Sequence, residues 1–398
     1  METFKCYKNT RNTKNRNIDF VSEEIAKEVR SYHESFPPYS ITPLVNLTSL
    51  AEVLGIKGMY VKDESYRFGL NAFKVLGGSY AIGKYLSNEL GSNEFAYDFL
   101  TSEAVKSKIK DITFISTTDG NHGRGVAWTS GKLGCKCIIH MPKGSDEERL
   151  NNIKKEGAEA DISDFNYDDT VRISAKEAEE NGYILVQDTS WPGYEDIPTW
   201  IIQGYTTMAL EAYETLKSEN IKPTHIFVQA GVGSLATAIT GFFSNVYREN
   251  PPKIVIVEPN KADCVYRTAE ADDGKIHIVD GSMSTIMAGL ACGEPCSVGW
   301  PVLSDYADYF LSVPDAVAAK GMRILGNPAN NDIKIVSGES GAVTSGAVCE
   351  LLMNENLDSM KKSIGLDDES VVLCFSTEGA TSVEGYRNVV WDGMCPSI

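Results

Sequence analysis

From Ile112 onward the sequence repeats one pattern: a short apolar run, a turn rich in glycine or polar residues, and a segment with helical spacing of apolar residues. The apolar runs at residues 113–117 and 137–141 are each followed by such a segment, and the pattern returns at residues 225–229. This alternation is typical of parallel sheets, because parallel neighbours must be joined by a crossover connection. We therefore predict an α/β protein made of two doubly wound lobes with a cleft between them.

The positions of the repeats divide the chain into two predicted domains. Residues 78–190 form the small α/β domain, and residues 1–77 together with 191–398 form the large domain. A chain of 398 residues is long enough to bury two substantial cores. Residues 1–20 are expected to be an extended arm, and residues 262–300 to be irregular.

Charge and cysteine usage exclude several classes of function. The net charge of −18 argues against nucleic acid and against an anionic membrane as partner. The nine cysteines form no CxxC pair and have no metal-ligand spacing with the five histidines, so no metal site is predicted. The N-terminal segment is polar and basic without an apolar core, and no apolar run approaches membrane-spanning length. Together with the cysteine usage, this predicts a cytoplasmic protein.

Residues 71–80 place one lysine, Lys74, between Phe73 and Val75, with two glycines close behind. A lysine among apolar side chains loses part of its preference for the proton. Such an amine is a candidate nucleophile of the Schiff-base kind. Taken alone, however, the segment fits better with a surface lysine whose ammonium group reaches the solvent.

Three loops at predicted strand ends are candidates for ligand binding. Residues 229–234 follow a strand and open a helix, where glycines and free N–H groups suit a phosphate. This loop lacks the third glycine of the dinucleotide fingerprint and the P-loop lysine, so a phosphate monoester fits better than a pyrophosphate. Residues 119–123 are a second glycine loop, and residues 376–381 are polar where α/β sheets bind ligands. Taken one at a time, each loop is equally compatible with a plain turn or a helix cap.

Together, the lysine segment and the three loops resemble the fold type II enzymes of pyridoxal 5′-phosphate (PLP), which include serine and threonine dehydratases, cysteine synthase and tryptophan synthase β. Order, spacing and strand-end placement match across roughly residues 40–385. The resemblance implies that PLP lies in the cleft between the two lobes. It would be held by the large domain and bound covalently to Lys74. It implies Asn121 at the ring hydroxyl, Thr377 at the pyridine nitrogen, and a phosphate site made of Gly231, Val232, Gly233 and Ser234.

Three further stretches, at residues 117–128, 187–200 and 287–294, narrow this resemblance to the ammonia-lyases of the family that act on a diamino acid. This implies α,β-elimination of ammonia from D- and L-2,3-diaminopropionate, giving pyruvate and two ammonia through aminoacrylate. The implied catalytic residues are Lys74, Asp119 and Asp188. Lys74 and Asp119 would remove the α-proton on opposite faces, and Asp188 or Asp119 would protonate the leaving amine. A homodimer is also implied.

The acid at position 119 is what separates this interpretation from its alternatives. The dehydratases resembled here have a serine at that place, where it serves the substrate carboxylate, and a second carboxylate would repel that group. An acid there suits a substrate with a second amine. Asp188 alternatively caps the turn before Trp191. A serine or threonine dehydratase-type β-eliminase and a non-catalytic PLP-binding protein remain open, whereas the glycine spacing disfavours a nicotinamide-dependent oxidoreductase.

Overall fold

The computed structural model describes residues 3–118 and 120–396. Within these residues the strands are β1 (Lys5–Lys8), β2 (Leu44–Asn46), β3 (Gly58–Asp63), β4 (Thr113–Thr117), β5 (Lys136–Met141), β6 (Glu159–Ile162), β7 (Ile184–Leu185), β8 (His225–Gln229), β9 (Lys253–Pro259), β10 (Tyr309–Val313) and β11 (Val371–Ser376). The helices are α1 (Glu23–Glu34), α2 (Thr48–Leu54), α3 (Val75–Leu90), α4 (Tyr97–Leu100), α5 (Glu103–Ile109), α6 (Asn121–Leu133), α7 (Glu147–Lys155), α8 (Tyr167–Asn181), α9 (Asp196–Ser218), α10 (Ser234–Val246), α11 (Cys264–Ala271), α12 (Trp300–Tyr306), α13 (Asp315–Gly326), α14 (Glu339–Met353), α15 (Asp358–Ile364) and α16 (Val383–Val390).

The larger of the two sheets that these strands form has the order β1-β10-β9-β8-β11-β3-β2. Its inner strands are parallel, while β1 and β2 pair antiparallel at the two edges. Every residue of β8 is buried, as expected for a strand covered by helices on both faces. Strands β8 and β11 are neighbours, so their carboxyl ends, at Gln229 and Ser376, open at the same edge of the sheet. Ligands of α/β proteins bind at such an edge.

The smaller sheet is parallel throughout and has the order β6-β5-β4-β7. Its strands lie within residues 78–190, and those of the larger sheet lie outside that range. Helix α3 crosses the predicted domain boundary and packs on both α6 and α9. That residues 78–190 fold as a separate domain stays a prediction.

The first turn of α3 is held between two helices because glycines allow their backbones to touch. A Cβ atom at Gly125 of α6 would lie 2.7 Å from the Cα atom of Val75. On the other side, a Cβ atom at Gly204 of α9 would lie 2.4 Å from the carbonyl oxygen of Leu76. Contacts this close exclude any larger side chain, so both glycines fix the place where α3 begins. Lys74 is the residue directly before that point.

Two expectations about irregular segments were wrong. The predicted arm contains β1, which pairs with β10 through Lys5 and Ser312 and extends the larger sheet. The predicted irregular segment contains helix α11. This helix forms because the buried carboxylate of Glu258, at the end of β9, accepts hydrogen bonds from the N–H groups of Val265 and Tyr266. The cap comes from a residue six positions before the helix, which sequence periodicity does not reveal.

The described residues contain neither a helix suited to cross a membrane nor a cluster of metal-ligating side chains. None of the helices in the described part of the chain combines the length and hydrophobicity needed to cross a membrane. Across the same residues, no group of three or more histidine, cysteine, aspartate or glutamate side chains is arranged to hold a metal ion.

Candidate active site

Lys74 lies at the junction of the two sheets, tied to the end of β11. The N–H of Phe73 donates to the carbonyl of Thr377 at 3.0 Å, and Ala72 forms an isolated antiparallel bridge with Glu378. The Lys74 side chain is 15% exposed, and its Nζ atom donates to Oδ2 of Asp188 at 2.9 Å. The structure thus brings together a lysine, an acid and a strand-end threonine that lie far apart in sequence.

Asp188 is the buried partner of this lysine, three residues after β7. Burial by itself would raise the pKa of Asp188, but the ammonium group of Lys74 and the neighbouring His122 lower that pKa to about 2. The hydroxyl of Tyr167 donates to the other carboxylate oxygen at 3.5 Å and accepts from Nε2 of Gln187 at 2.8 Å. Asp188 is therefore ionised at neutral pH, with its charge directed at Lys74.

The glycine loop between β8 and α10 has the properties of an anion site. The backbone N–H groups of Gly231, Val232, Gly233 and Ser234 have no acceptor within residues 3–118 and 120–396. A Cβ atom at Gly231 would lie 3.2 Å from the Cα atom of Leu290, and Gly233 adopts a φ of +98°. Four unsatisfied N–H groups at the start of a 13-residue helix fit a phosphate group. The hydroxyl of Ser234 donates to the carbonyl of Asp188 at 2.7 Å, which joins this loop to the acid.

Thr377 presents a hydroxyl whose hydrogen is available to a ligand. Nε2 of Gln229 donates to Oγ1 of Thr377 at 2.9 Å and to the carbonyls of Ser340 and Phe375, each at 3.0 Å. Because two of these partners are carbonyl oxygens, the amide must turn its nitrogen toward Thr377. The threonine oxygen is then an acceptor, and its own O–H remains to donate. A neutral aromatic nitrogen, which only accepts, fits this donor.

The second glycine loop contributes Asn121, the first residue of α6. Its Nδ2 atom donates to Oε2 of Glu378, so the side chain reaches from the smaller-sheet side of the cleft to the end of β11. Nε2 of the buried His122 lies 2.8 Å from the carbonyl of Val186, which braces the loop against the residue after β7. The predicted base Asp119 lies outside the described residues.

Two residues that contact Asp188 and Asn121, namely Tyr167 and Glu378, were not selected from the sequence. Glu378 directly follows Thr377 at a strand end, so its acid could have been noticed as a candidate. Tyr167 starts a helix of the smaller-sheet region, and no local motif marks it. It also lines a cavity of about 390 Å³ that shares Val232 and Cys292 with the cavity beside Lys74.

Glu339, at the start of α14, makes the stability of the folded chain depend on pH. Burial and then the negative charge of Glu378 raise the pKa of Glu339 to about 7. A raised pKa means that the folded state binds the proton more tightly than the unfolded state. Folding therefore gains from this group below its ordinary pKa of 4.5, and loses that gain as the pH rises through about 7.

We expect Glu339→Gln to remove this loss. The free energy of unfolding of the variant, minus that of the parent chain, should rise by about 3 kcal/mol between pH 4.5 and neutral pH, since each pKa unit corresponds to about 1.4 kcal/mol. Urea unfolding across this pH range measures the difference. Glu350→Gln, on the same helix, removes an acid that is paired with Lys320 at 3.0 Å and is the control. A difference that does not change with pH would contradict the prediction.

Comparison with known proteins agrees with this geometry. A family model described as pyridoxal-phosphate dependent enzyme matches residues 36–365. The diaminopropionate ammonia-lyase of Salmonella typhimurium is 48% identical over 380 residues, which cover 94% of this chain and 94% of that one. The crystal structure of the holo diaminopropionate ammonia-lyase from Escherichia coli superposes with a TM-score of 0.93 at 44% identity, covering 99% of this chain and 98% of that one. The same E. coli enzyme in complex with an aminoacrylate-PLP azomethine reaction intermediate superposes with a TM-score of 0.90 at 44% identity, with the same coverage.

These findings confirm the fold class, the cofactor and the family predicted from the sequence. The fold class is α/β, of the fold type II kind. The cofactor of the family is pyridoxal 5′-phosphate. The N–H groups of the glycine loop, the Thr377 hydroxyl and the Lys74 amine are chemically compatible with it, and their roles stay predictions. The matched region covers most of the chain, and the identity to the relatives extends nearly from end to end. The chain belongs to the pyridoxal-phosphate dependent enzymes and, among them, to the family of the diaminopropionate ammonia-lyases.

Proposed function

We propose that this chain removes ammonia from the D and L forms of 2,3-diaminopropionate and yields pyruvate. The α C–H bond and the Cβ–N bond break, and the resulting aminoacrylate reacts with one water to give pyruvate and the second ammonia. The observation that carries the proposal is the buried ion pair of Lys74 and Asp188, 2.9 Å apart beside the glycine loop. It combines an amine for the cofactor with an ionised acid for a second, cationic amine.

The residues around this pair are proposed to hold the cofactor. Lys74 would bind it covalently, and the four N–H groups of residues 231–234 would bind its phosphate. The Thr377 hydroxyl would donate to the pyridine nitrogen, and Asn121 would contact the ring hydroxyl. When bound, PLP supplies an electron sink for the charge that develops at the substrate Cα atom. The neutral Thr377 hydroxyl would have no charge with which to stabilise a protonated ring nitrogen, so it would favour the weaker electron sink that suits elimination.

The removal of the α-proton is assigned to two residues, and a third is assigned to the leaving amine. Lys74 is proposed to accept the α-proton on one face, and Asp119 on the other, so that both enantiomers react. Asp188 is ionised and lies beside Lys74, where it attracts the β-amine as an ammonium group. Keeping that nitrogen protonated lets it leave as neutral ammonia. Tyr167 contacts the same carboxylate and helps to fix its direction.

The first test is pyruvate release by the purified, PLP-loaded protein. D-2,3-diaminopropionate, L-2,3-diaminopropionate, L-serine and L-threonine are offered separately. We expect turnover of both diamino enantiomers and little from the hydroxy acids. Turnover of serine or threonine alone would favour the dehydratase alternative, and PLP binding without any product would favour a non-catalytic role.

Replacing Asp119 by serine is expected to shift preference toward hydroxy amino acids. The carboxylate that suits a second amine becomes a hydroxyl that no longer repels a substrate carboxylate. The ratio of kcat/KM for L-serine to that for 2,3-diaminopropionate should rise about tenfold or more, which corresponds to about 1.4 kcal/mol. Asp164→Ser, which changes an exposed acid, is the control. An unchanged ratio would speak against a substrate-facing role of Asp119.

We also propose that the chain works as a homodimer in the cytoplasm. The C-terminal helix α16 buries Val389 completely, but the Trp391 that follows it is 70% exposed, with the guanidinium of Arg387 over its ring. An exposed tryptophan is common where two protein surfaces meet. Sedimentation equilibrium should give twice the chain mass of 43.5 kDa. Trp391→Glu is expected to weaken the association if this segment forms the contact.

A further inference from the structure

Glu378 is a buried acid at the candidate site to which the proposed reaction assigns no role. It is 3% exposed, and it has no ion-pair partner in the described part of the chain. An ionised carboxylate in such a place is costly unless neutral donors satisfy it. The partners of its two oxygens therefore indicate what the residue does.

Those partners come from different parts of the fold. Oε2 accepts a hydrogen bond from Nδ2 of Asn121, at the start of α6, and Oε1 accepts from the N–H of Ser340 at 3.1 Å, in the first turn of α14. The backbone of Glu378 bridges to Ala72, two residues before Lys74. One side chain thus connects the lysine segment, the second glycine loop and a helix of the larger-sheet region.

The Glu378 carboxylate is closely packed against the backbone that precedes α14. A Cβ atom at Gly338 would lie 3.1 Å from Oε1 of Glu378 and 3.0 Å from its Cγ atom. The N–H of Gly338 also donates to the carbonyl of Glu378 at 2.9 Å. The residue before α14 is thus held close to Glu378 from two directions, and the acid has little freedom to turn away from Asn121.

A carboxylate fixes the direction of the amide that it contacts. Oε2 of Glu378 accepts from Asn121, so Asn121 points its NH2 group, not its oxygen, at Glu378. That nitrogen has a second N–H, which remains for a ligand. If the amide turned over, it would present an oxygen, which cannot donate to a cofactor oxygen.

We propose that Glu378 is a positioning residue, which holds the Asn121 amide in the orientation that donates to the cofactor ring. This inference rests on the proposed contact of Asn121 with the ring hydroxyl. Glu378 acts through Asn121, so removing either residue should have the same consequence for the cofactor, and removing both should add little.

The test is a double-mutant cycle in which the apo-protein is titrated with PLP and the visible absorbance of the bound cofactor is followed. The proteins are the parent chain, Asn121→Ala, Glu378→Gln and the double variant. Glutamine keeps the shape of Glu378 but can accept on one edge only, so it cannot satisfy both Asn121 and Ser340. We expect each single change to weaken PLP binding about tenfold, and the double variant to bind no more weakly than Asn121→Ala. The absorbance maximum should move by the same amount in both single variants.

Two results would overturn the inference. Single-variant effects that multiply in the double variant would show that Glu378 acts independently of Asn121. Parent-like affinity and absorbance in Glu378→Gln would show that it does not act on the cofactor. Failure of the parent chain to bind PLP would instead overturn the proposed function, and the inference with it.

Folding is checked separately from cofactor binding. Thermal unfolding of each apo-protein reports whether Glu378→Gln is folded. If it is not, Glu378→Asp replaces it in the cycle, because aspartate keeps the charge but withdraws it by one methylene group. Glu350→Gln, which removes a buried acid of α14 that pairs with Lys320, is the matched control and should leave the absorbance maximum unchanged.

Discussion

Lys74→Ala is expected to reduce pyruvate formation from 2,3-diaminopropionate by at least about 1000-fold, or about 4 kcal/mol of transition-state stabilisation. The lysine amine is assigned two tasks, attachment of the cofactor and acceptance of the α-proton, and alanine can perform neither. No other lysine or arginine among the described residues lies within 4 Å of the Asp188 carboxylate to take its place.

The attachment itself can be observed without turnover. Borohydride treatment of the PLP-loaded parent chain should add the mass of the reduced cofactor to the peptide that contains Lys74, and this addition should be absent from Lys74→Ala. Lys84→Ala is the control, because Lys84 lies on α3, the helix that Lys74 directly precedes, and pairs with Glu28, 3.7 Å away. Labelling at another lysine, or turnover within tenfold of the parent chain, would contradict the assignment.

Features with a local cause could be predicted from the sequence. The strands at residues 113–117 and 225–229 agree with β4 and β8 to the residue, because each is an apolar run that ends at a turn. The glycine loop after β8 could be selected as a candidate phosphate site because its glycines and the helix start are consecutive, and that role stays a prediction. The N-cap of α1 was also predictable, since Ser22 accepts from the N–H of Ile25, three residues later.

Features caused by distant residues could not be predicted in the same way. The last strand of the smaller sheet, β7, is short and ends at Leu185. Beyond it, the side chain of Gln187 makes the hydrogen bonds to β4 that a longer strand would make with its backbone. Its Oε1 accepts from the N–H of Thr117 at 3.0 Å, and its Nε2 donates to the carbonyl of Thr117 at 3.1 Å. Such a contact depends on where the fold places Gln187 relative to Thr117. The spacing of apolar residues along the sequence carries no information about that.

In the candidate active site, too, local features could be predicted from the sequence and contacts between distant residues could not. The acid Asp188 was selected by its strand-end position and by the family resemblance, but its contact with Lys74 spans 114 positions of sequence. The contact of Asn121 with Glu378 spans 257 positions and joins strand ends of different sheets. Sequence spacing identifies the candidates for such pairs, and only the fold shows which of them meet.

Asp188→Asn is expected to lower turnover of 2,3-diaminopropionate about 100- to 1000-fold, or about 3–4 kcal/mol. Asparagine keeps the shape of the side chain but removes the negative charge 2.9 Å from the Lys74 ammonium group, and it cannot attract a second ammonium group. Asp161→Asn, at an exposed acid that contacts His140, is the control. Retention of a tenth or more of the parent turnover would contradict the assignment.

The same substitution should change stability in a defined direction. The pKa of Asp188 falls from 3.8 to about 2 on folding, so its ionisation stabilises the fold above pH 3.8, and this contribution is lost as the pH falls through about 2. The contribution amounts to about 2 kcal/mol, since one pKa unit corresponds to about 1.4 kcal/mol. Urea unfolding of the two apo-proteins measures the free energy of unfolding of the parent chain minus that of Asp188→Asn. The pH-dependent part of this difference should shrink as the pH is lowered from 3.8 to about 2.

Comparison of substrates separates the two roles of Asp188. If its carboxylate only orients Lys74, then Asp188→Asn should slow 2,3-diaminopropionate and L-serine by the same factor, because both depend on that lysine. If it also holds the β-ammonium group, only the diamino acid loses that interaction, and its turnover should fall about tenfold further than the residual turnover of L-serine. The ratio of the two losses, rather than either loss alone, therefore measures recognition of the second amine.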